Sequence, residues 1–397
     1  MRHNWKRWLA PAAAITAAAL LAACSSSSSS SSSSAASSPA TTASSSASAT
    51  GGTAAGVAKA QQMVTQLEAT TTSYPVPTAS VKGVAALKGK TVYYIPLVQF
   101  IPGFVVTAAT MKTALAKVGV KLQVCNGNGV PATVASCVQQ ATGAGAAGII
   151  TDAIPYGMAQ NALNAAKAKG IPVIIADQIP SSGTAANNDS LTYVPGVVNQ
   201  PSQVAWWMVA DSGGKANAIL AQESDSPSSI AYVQDSLPIY KQYCPGCTIT
   251  VKKITATTNS QLASDTSSNL LTNPDATYYY TEFEDSLDPT IQGIQQSHRT
   301  SVKLSVAGGT VDGLGRLKKG AIVGAVVVVD QAYAGWALTD EVLRMATKSA
   351  PVTETFPSRL FTSSNIGSIQ VTTAAQSSGA WFGNSSYQGD FEKLWGV

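Results

Sequence analysis

Histidine, charged side chains and long apolar segments are all scarce in this chain. Only two histidines occur in 397 residues, and His3 lies in a leader-like start, so a catalytic triad or a histidine metal site would depend on His298 alone. The nucleophile elbow G-x-S-x-G, the zinc motif H-E-x-x-H and the phosphate loop G-x-x-x-x-G-K-[ST] are absent. These absences argue against hydrolases and ATPases, and we expect no catalytic residue, no metal and no cofactor.

The charge balance argues against a further class of partner. Charged residues make up 12% of the chain, and the formal net charge is +4. Three of the positive charges, Arg2, Lys6 and Arg7, stand at the N-terminus, so the remainder carries +1 (+4 − 3). Without a basic patch, nucleic acid is a poor candidate for a partner.

An apolar run follows the positive start. Leu9 to Ala22 is short for a membrane span and ends at Leu21-Ala22-Ala23-Cys24, which resembles a bacterial lipobox. We therefore expect residues 1–23 to be a lipoprotein signal peptide and Cys24 to carry lipid; the alternative is an ordinary secretory signal with an accidental cysteine. No later segment reaches the ~18 to 20 apolar residues of a spanning helix. The expected location is the outer face of the cell membrane, with the lipid as the only anchor.

Small and polar residues dominate the next segment. Serine, alanine, threonine and glycine make up nearly all of residues 25–56. Such a composition has too little apolar surface to offset the entropy of ordering the chain. We predict a flexible tether over residues 24–83, with a short helix at 58–69.

The four remaining cysteines form two local pairs. Cys125 ends a predicted strand, and Cys137 shares the inward face of the following helix with Val134, Val138 and Ala141. Cys244 and Cys247 lie in a C-P-G-C turn that closes a helix before a strand, whereas a redox C-x-x-C opens a helix after one. We predict two structural disulfides, since an exported protein lies where disulfides persist. A redox or metal site is the alternative.

From residue 90 onward, short apolar strands alternate with alanine-rich helices. The predicted strands are 91–96, 121–124, 148–151, 172–176, 216–221, 248–254, 276–281, 303–307 and 321–329. Continuous apolar strands separated by helices are typical of parallel sheets covered on both faces. Nine strands are many for one sheet, so we predict an α/β fold of two doubly wound parallel-sheet lobes.

Four segments carry a resemblance to a known family. They are Lys90–Pro96, Gly148–Asp152, Gly170–Asp177 and Arg359–Ile366. Their order and spacing resemble the type I periplasmic binding proteins, with the ribose/galactose-binding group the most similar. The Cys125 and Cys137 pair, with Asn126-Gly127 between them, resembles a branch common in high-GC Gram-positive bacteria, the actinobacterial substrate-binding lipoproteins of ABC transporters.

The resemblance implies a domain organisation with three hinge crossings, near residues 193–196, 329–331 and 357–361. The N-terminal lobe would then hold residues 84–193 plus 331–358, and the C-terminal lobe 194–330 plus 359–397. It also implies a monomer that works with ABC permease subunits.

Ligands of open α/β sheets bind beyond the carboxyl ends of the strands, so the loops there carry the candidate site. The candidate ligand-binding residues are Gln99, Phe100, Phe104, Asp152, Tyr156, Asp177, Gln178, Glu223, Glu284 and Asp330. Asp152 and Asp177 have an alternative role as caps of the following helices. Phe100 and Phe104 have an alternative role in the core.

Aromatic rings beside carboxylates and amides favour a sugar or polyol as the small-molecule solute. The resemblance places Asp177 where an aspartate holds sugar hydroxyls. This chain departs from the family pattern at two places: the family commonly has arginine at the position of Gln178 and a sugar-binding aspartate at the position of Gly308 or Gly309. A cationic ligand, held by acids and ring faces, therefore stays open.

Two functions remain after these exclusions. The first is an extracytoplasmic binding protein that closes its two lobes on a solute for an ABC importer. The second is a sensor of the same fold that presents its bound molecule, cationic in one version, to a membrane signalling partner. An enzyme would need an acid–base pair or an activated nucleophile, which the sequence does not offer.

Overall fold

The structure is a computed structural model that describes residues 47–180, 188–196, 199–255, 260–320, 322–352, 354–383 and 386–397. The predicted signal peptide, Cys24 and the first part of the predicted tether lie outside the described residues.

Eleven strands and twelve α-helices are found in the described part of the chain. The strands are β1 Thr91–Pro96, β2 Lys121–Val124, β3 Gly148–Asp152, β4 Val173–Ala176, β5 Leu191–Val194, β6 Asn217–Glu223, β7 Thr248–Ile254, β8 Tyr278–Thr281, β9 Lys303–Val306, β10 Val323–Val329 and β11 Ser358–Thr362. The helices are α1 Ala47–Glu68, α2 Pro102–Lys117, α3 Pro131–Gly143, α4 Gln160–Ala168, α5 Gln200–Asp211, α6 Pro227–Tyr243, α7 Leu262–Thr272, α8 Leu287–Gln296, α9 Val311–Lys318, α10 Gln331–Ala346, α11 Thr373–Ser377 and α12 Tyr387–Trp395.

The strands form two sheets, which confirms the predicted fold class. The first sheet has the order β2-β1-β3-β4-β5 and is parallel throughout; we call it and the helices packed on it the N-lobe. The second has the order β11-β10-β9-β8-β6-β7 and defines the C-lobe. Only β11 is antiparallel among these strands, pairing Ala325 with Thr362 and Val329 with Ser358. An antiparallel strand needs no crossover helix over its own sheet.

Each sheet is covered on both faces, as its continuous apolar strands predict. On the N-lobe, Tyr94 and Ile150 face a core shared with α2 and α10, while Ile95 and Ile149 face a core shared with α3 and α4. The C-lobe has two corresponding cores, one on each face of its sheet. The carboxyl ends of both sets of parallel strands are thereby held at fixed positions.

The C-terminal helix corrects the predicted lobe boundaries. Residues 359–397 are predicted to belong to the C-lobe, and Trp381 does lie in the C-lobe core. The prediction is wrong for α12, whose Tyr387, Phe391 and Trp395 pack in the N-lobe core. These rings recur at every fourth position and contact aromatic rings of α10, so the apolar stripe of α12 has its partner on the N-lobe. The chain therefore returns to the N-lobe once more after Gly383.

Helix α1 confirms the predicted helix at 58–69 and extends it back to Ala47, which corrects the predicted tether from residue 47 onward. Ala60 is fully buried, and Val64 and Leu67 pack with it against the C-lobe core. The helix runs so close to α6 that a Cβ on Gly56 would lie 2.1 Å from the Tyr243 carbonyl oxygen. The three apolar positions lie three or four residues apart, so they form one buried stripe that offsets the entropy of ordering this segment.

Residues 69–83 continue from α1 onto the N-lobe. Thr71 donates its N–H to the Phe382 carbonyl at 2.7 Å on the C-lobe side. Val81 donates its N–H to the Leu394 carbonyl at 2.8 Å, next to α12. This segment is thus fastened to both lobes.

Both predicted disulfides are formed. Cys125 and Cys137 are 5.8 Å apart between Cα atoms and tie the end of β2 to α3. Cys244 and Cys247 are 5.3 Å apart and close the turn between α6 and β7. Each closes a short loop, so each is expected to stabilise by a few kcal/mol. None of the described helices is long and apolar enough to cross a membrane.

Candidate functional site

A cavity of about 230 Å³ lies between the two lobes. Its walls include residues at or just after the carboxyl ends of seven strands, namely Leu97, Ala153, Asp177, Glu223, Phe283, Gly308 and Val329. This is the place where open α/β sheets bind ligands. Pockets for drug-sized ligands usually hold about 300 to 1,000 Å³, so this cavity suits a smaller solute.

The N-lobe side of the cavity centres on Asp177. This residue follows β4 with φ +54°, a left-handed conformation that aspartate and asparagine adopt more readily than most residues. Its carboxyl group interacts with that of Asp152 beneath it, and Tyr94 donates its hydroxyl to Asp152 Oδ2 at 2.6 Å. Asp177 Oδ1 has no protein partner among the described residues. The same holds for Asp152 Oδ1, so each carboxyl group of this pair has one acceptor without a donor among the described residues.

The Asp152 and Asp177 carboxyl groups interact in a buried site. Burial and the neighbouring Asp152 charge raise the pKa of Asp177 well above its usual value. Burial also raises the pKa of Asp152, but hydrogen bonds from Tyr94 and from the Ala153 N–H oppose that rise. Asp177 is therefore the member of the pair that takes up a proton more readily, and a protonated carboxyl group both donates and accepts hydrogen bonds.

Space beside Asp177 depends on a glycine between β5 and α5. A Cβ on Gly196 would lie 2.6 Å from Asp177 Oδ1 and 2.1 Å from Phe356 Cδ2. Any side chain there would displace one of the two groups. Gly196 thereby keeps the Asp177 carboxyl group in place at the point where the chain leaves the N-lobe.

The C-lobe side of the cavity is acidic. Glu223 ends β6, is 7% exposed and donates its own N–H to Glu282 Oε2 at 3.1 Å. Burial, together with the charges of Asp285 and Asp225, raises the pKa of Glu223 to about 8. Burial first, and then the charges of Glu223 and Asp225, raise the pKa of Glu282 well above its ordinary value. On this side of the cavity, burial and the neighbouring acids thus oppose the ionisation of both Glu223 and Glu282.

Glu284 also lines the cavity, but its carboxylate is engaged by the protein. It accepts the Gly313 N–H and hydrogen bonds from Thr310, at the start of α9. A carboxylate at a helix N-terminus satisfies unpaired backbone donors. Its main role is to hold the loop after β9.

Three hydrogen bonds join the lobes beside the cavity, and we call them the latch. Ser228 Oγ donates to Gln178 Oε1 at 2.8 Å and accepts the Ile179 N–H at 3.0 Å. Tyr232 donates its hydroxyl to the Asp177 carbonyl at 3.4 Å. The loop after β4 thus contacts the first turns of α6, so the protein is in a closed conformation.

The structure brings together five of the ten predicted residues in the cavity wall: Phe104, Asp177, Gln178, Glu223 and Glu284. Asp152 is placed one layer deeper, beneath Asp177. The other four predicted residues lie elsewhere.

Gln99, Phe100 and Tyr156 are outside the cavity wall in this closed conformation. Gln99 donates its backbone N–H to Asn126 Oδ1 at 2.9 Å within the loop after β1. Phe100 is 77% exposed. Tyr156 is buried and donates its hydroxyl to Asn164 Oδ1 at 2.6 Å, because the short helix that carries it turns back towards α4.

Asp330 is a helix cap in this structure rather than part of the cavity wall. Its Oδ1 accepts the Tyr333 N–H at 3.0 Å, and its Oδ2 accepts the Tyr74 hydroxyl at 2.9 Å. Burial raises its pKa to about 6. Both oxygens are engaged because Tyr74 arrives from the segment that was predicted to be a tether.

Several cavity residues were absent from the predicted site. They include Ser229 and Tyr232 in α6 and Asp225 after β6. Their shared signal is position, since the first turns of a helix that follows a parallel strand face the same edge as the strand end. Among the described residues, no group of three histidine, cysteine or acidic side chains could hold a metal ion.

A second hollow of about 440 Å³ lies at the opposite edge of the N-lobe sheet, near Lys90, Gly170 and Pro172. These residues precede β1 and β4, at the amino ends of the strands. Ligands of open α/β sheets do not bind at that edge, so the cavity between the lobes is the candidate site.

Comparison with known proteins agrees with this geometry. A sequence profile described as the periplasmic binding protein domain matches residues 92–349, more than half of the chain. No curated protein matches.

Solved structures similar to this chain share its fold. The myo-inositol binding protein of Caulobacter, solved with myo-inositol, is 21% identical, with 75% of this chain and 98% of that chain covered at a TM-score of 0.60. GanP, a glucose-galactose binding protein from Geobacillus stearothermophilus, is 18% identical, with 69% and 98% covered and a TM-score of 0.61. A 5-methylthioribose transporter solute binding protein from Thermotoga lettingae is 15% identical, with 80% and 99% covered and a TM-score of 0.63.

The matched profile and these structures belong to solute-binding proteins, not enzymes. The two α/β lobes, the cavity at their facing strand ends and the profile match over residues 92–349 agree. The chain belongs to the periplasmic binding protein family, with the type I fold.

Proposed function

We propose that this protein is the substrate-binding lipoprotein of an ABC importer and that it closes its lobes on a sugar or polyol. The observation that carries the proposal is the Asp177 carboxyl group, which lines the cavity and has an acceptor oxygen without a donor among the described residues. Hydroxyl groups donate and accept hydrogen bonds; a carboxyl group accepts them, and it also donates when protonated.

The remaining cavity wall supports the same class of solute. Gln178 contributes an amide, and Phe104, Tyr232 and Phe283 contribute aromatic surface. Rings cover the C–H faces of a sugar while polar groups hold its hydroxyls. The similar solved structures are described as binding myo-inositol, glucose or galactose, and 5-methylthioribose.

The lipid anchor is the second part of the proposal. The Leu21-Ala22-Ala23-Cys24 junction after an apolar run supports lipidation at Cys24. Cys24→Ser should move the protein from the membrane fraction to the medium, with Ser25→Ala as the neighbouring control, measured by immunoblotting both fractions. Equal membrane retention of both variants would contradict the anchor.

Ligand binding tests the assignment of the cavity. With purified full-length protein, isothermal titration against pentoses, hexoses, inositol and linear polyols should give at least one saturable ligand. Asp177→Ala should weaken that ligand about 30-fold, because a buried solute hydroxyl left without its partner costs about 2 kcal/mol. Asp177→Asn keeps the shape of the protonated carboxyl group and its hydrogen bond to Asp152, so it should retain most of the affinity.

The exposed Asp189 of the same lobe supplies the control for charge alone, since Asp189→Ala should bind like the unaltered protein. Unaltered affinity in Asp177→Ala would show that the solute binds elsewhere. A panel in which no sugar or polyol binds would refute the solute class and leave the sensor of an unidentified molecule as the better reading.

A further inference from the structure

The cavity wall carries an unbalanced set of charges. Its acidic residues are Asp177, Glu223, Asp225, Glu284 and Asp285. Of the residues that the structure describes around the cavity, none is lysine, arginine or histidine. Carboxylates in a partly enclosed space are costly unless hydrogen bonds, protons or cations compensate them.

Three of these acids are compensated by the protein itself. Burial and the Asp152 carboxyl group raise the pKa of Asp177, which favours its neutral form. Glu284 accepts hydrogen bonds from Thr310 and Gly313. Asp285 accepts hydrogen bonds from backbone N–H groups at the start of the short helix before α8.

Glu223 is different, because no hydrogen bond to its carboxyl group opposes the effect of burial on its pKa. Its exposed fraction is 7%, and the groups that act on it from other elements are Asp285, Asp225 and Glu282, all of the same sign. Buried polar groups normally have a hydrogen-bond partner, so a buried carboxyl group that lines a cavity can take its donor from the solute. The partner that would restore its ordinary ionisation is a cation.

The two sides of the cavity differ in chemistry. The N-lobe side offers the Gln178 amide and the Asp177 carboxyl group, whose raised pKa favours the protonated form, and both suit hydroxyl groups. The C-lobe side offers Glu223 together with the rings of Tyr232 and Phe283, which line the same cavity. Carboxylates and ring faces both attract an ammonium group.

We propose that the solute is a polyhydroxylated amine, an amino sugar or amino polyol, whose ammonium group binds Glu223 while its hydroxyls bind Asp177 and Gln178. This inference rests on the proposed function and narrows its substrate class.

Matched pairs of neutral and cationic compounds test the inference. The pairs are D-glucose with D-glucosamine, D-galactose with D-galactosamine, and D-sorbitol with 1-amino-1-deoxy-D-sorbitol, each titrated at pH 7 into purified full-length protein by calorimetry. In at least one pair, the amine should bind about tenfold tighter than its neutral partner, because a hydrogen bond between charged groups is about twice as strong as a neutral one.

The variant Glu223→Gln separates charge from shape. It should lower the ratio of the two affinities in that pair from about tenfold to at most about threefold, because glutamine keeps the size and hydrogen-bonding groups of the side chain and loses its charge. It should fold normally, because it removes an unpaired buried acid. Asp312→Asn, which alters an exposed carboxylate in α9, should keep the preference and serves as the control.

The outcomes distinguish this inference from the proposed function. If a neutral sugar or polyol binds as tightly as its amine in every pair, the inference fails while the proposed function stands. If the amine preference persists in Glu223→Gln, Glu223 is not the ammonium site and the inference also fails. If none of the six compounds binds and the wider panel is also silent, both fail together.

Discussion

Replacing Arg344 with methionine should lower the free energy of unfolding by about 3 to 5 kcal/mol, because it leaves a buried carboxylate without its cation. Arg344 lies in α10 with its side chain 2% exposed. Its Nε donates to Asp340 Oδ2 at 2.5 Å, and its Nη2 donates to the Ala79 carbonyl at 2.7 Å. Methionine keeps most of the apolar length, so the loss reports the charge and its hydrogen bonds.

The surroundings of Arg344 make the expected loss large. Asp340 Oδ1 accepts the Trp395 Nε1–H, and the buried acids Glu341 and Glu354 lie nearby. Burial and the neighbouring acids raise the pKa of Glu354 to about 9. Burial is also the largest cause of the raised pKa of Glu341, which is about 7. Within the described part of the chain, the positive charge of Arg344 opposes the rise in the pKa of Asp340, Glu341 and Glu354.

An exposed arginine provides the matched control. Arg316 pairs with Asp288 and Asp312 on the C-lobe surface, with 30% of its side chain exposed. Arg316→Met should cost about 0 to 1 kcal/mol, as exposed ion pairs usually do. Urea denaturation at pH 7, followed by circular dichroism, measures both variants. Equal losses would mean that the buried ion pair contributes no more than a surface pair.

Phe391→Ala should destabilise the protein by about 3 to 5 kcal/mol, the usual cost of removing a buried aromatic ring. Phe391 is fully buried in α12. Its ring centroid lies 5.7 Å from that of Tyr333, 6.3 Å from that of Trp336 and 5.8 Å from that of Trp395. Removal of this ring leaves a cavity in the N-lobe core at the point where the last helix crosses onto it.

The same substitution at an exposed phenylalanine supplies the comparison. Phe100 is 77% exposed, so Phe100→Ala should change the free energy of unfolding by about 0.5 kcal/mol or less. Urea denaturation of the two variants side by side gives the difference. A Phe391→Ala protein as stable as Phe100→Ala would contradict the packing of α12 on the N-lobe.

Local sequence patterns predict most of the fold because each strand is an apolar run of its own. Val173–Ala176 and Val323–Val329 are continuous apolar segments between helices, and such runs specify buried parallel strands without knowledge of distant residues. Strand β11 is a different case. Its antiparallel pairing with β10 follows from the path of the chain between the lobes, which no local pattern encodes.

The candidate site was predictable only in part, for the same reason. The position of Asp177 after β4 places it at a strand end, and that rule needs no tertiary information. The roles of Asp330 and Glu284 depend on Tyr74 and Gly313, which approach from other parts of the chain. Tyr74 and Asp330 are 256 residues apart, so sequence spacing cannot reveal that the acid is already occupied.

Helix α1 also bears on how this protein is best prepared for experiments. A fragment that starts at the predicted lobe boundary, near residue 84, lacks the cover that Ala60, Val64 and Leu67 give to the C-lobe core. It also lacks Tyr74, the hydrogen-bond donor to Asp330. The bared apolar surface would favour self-association, so recombinant fragments should begin at or before Ala47 to remain monodisperse.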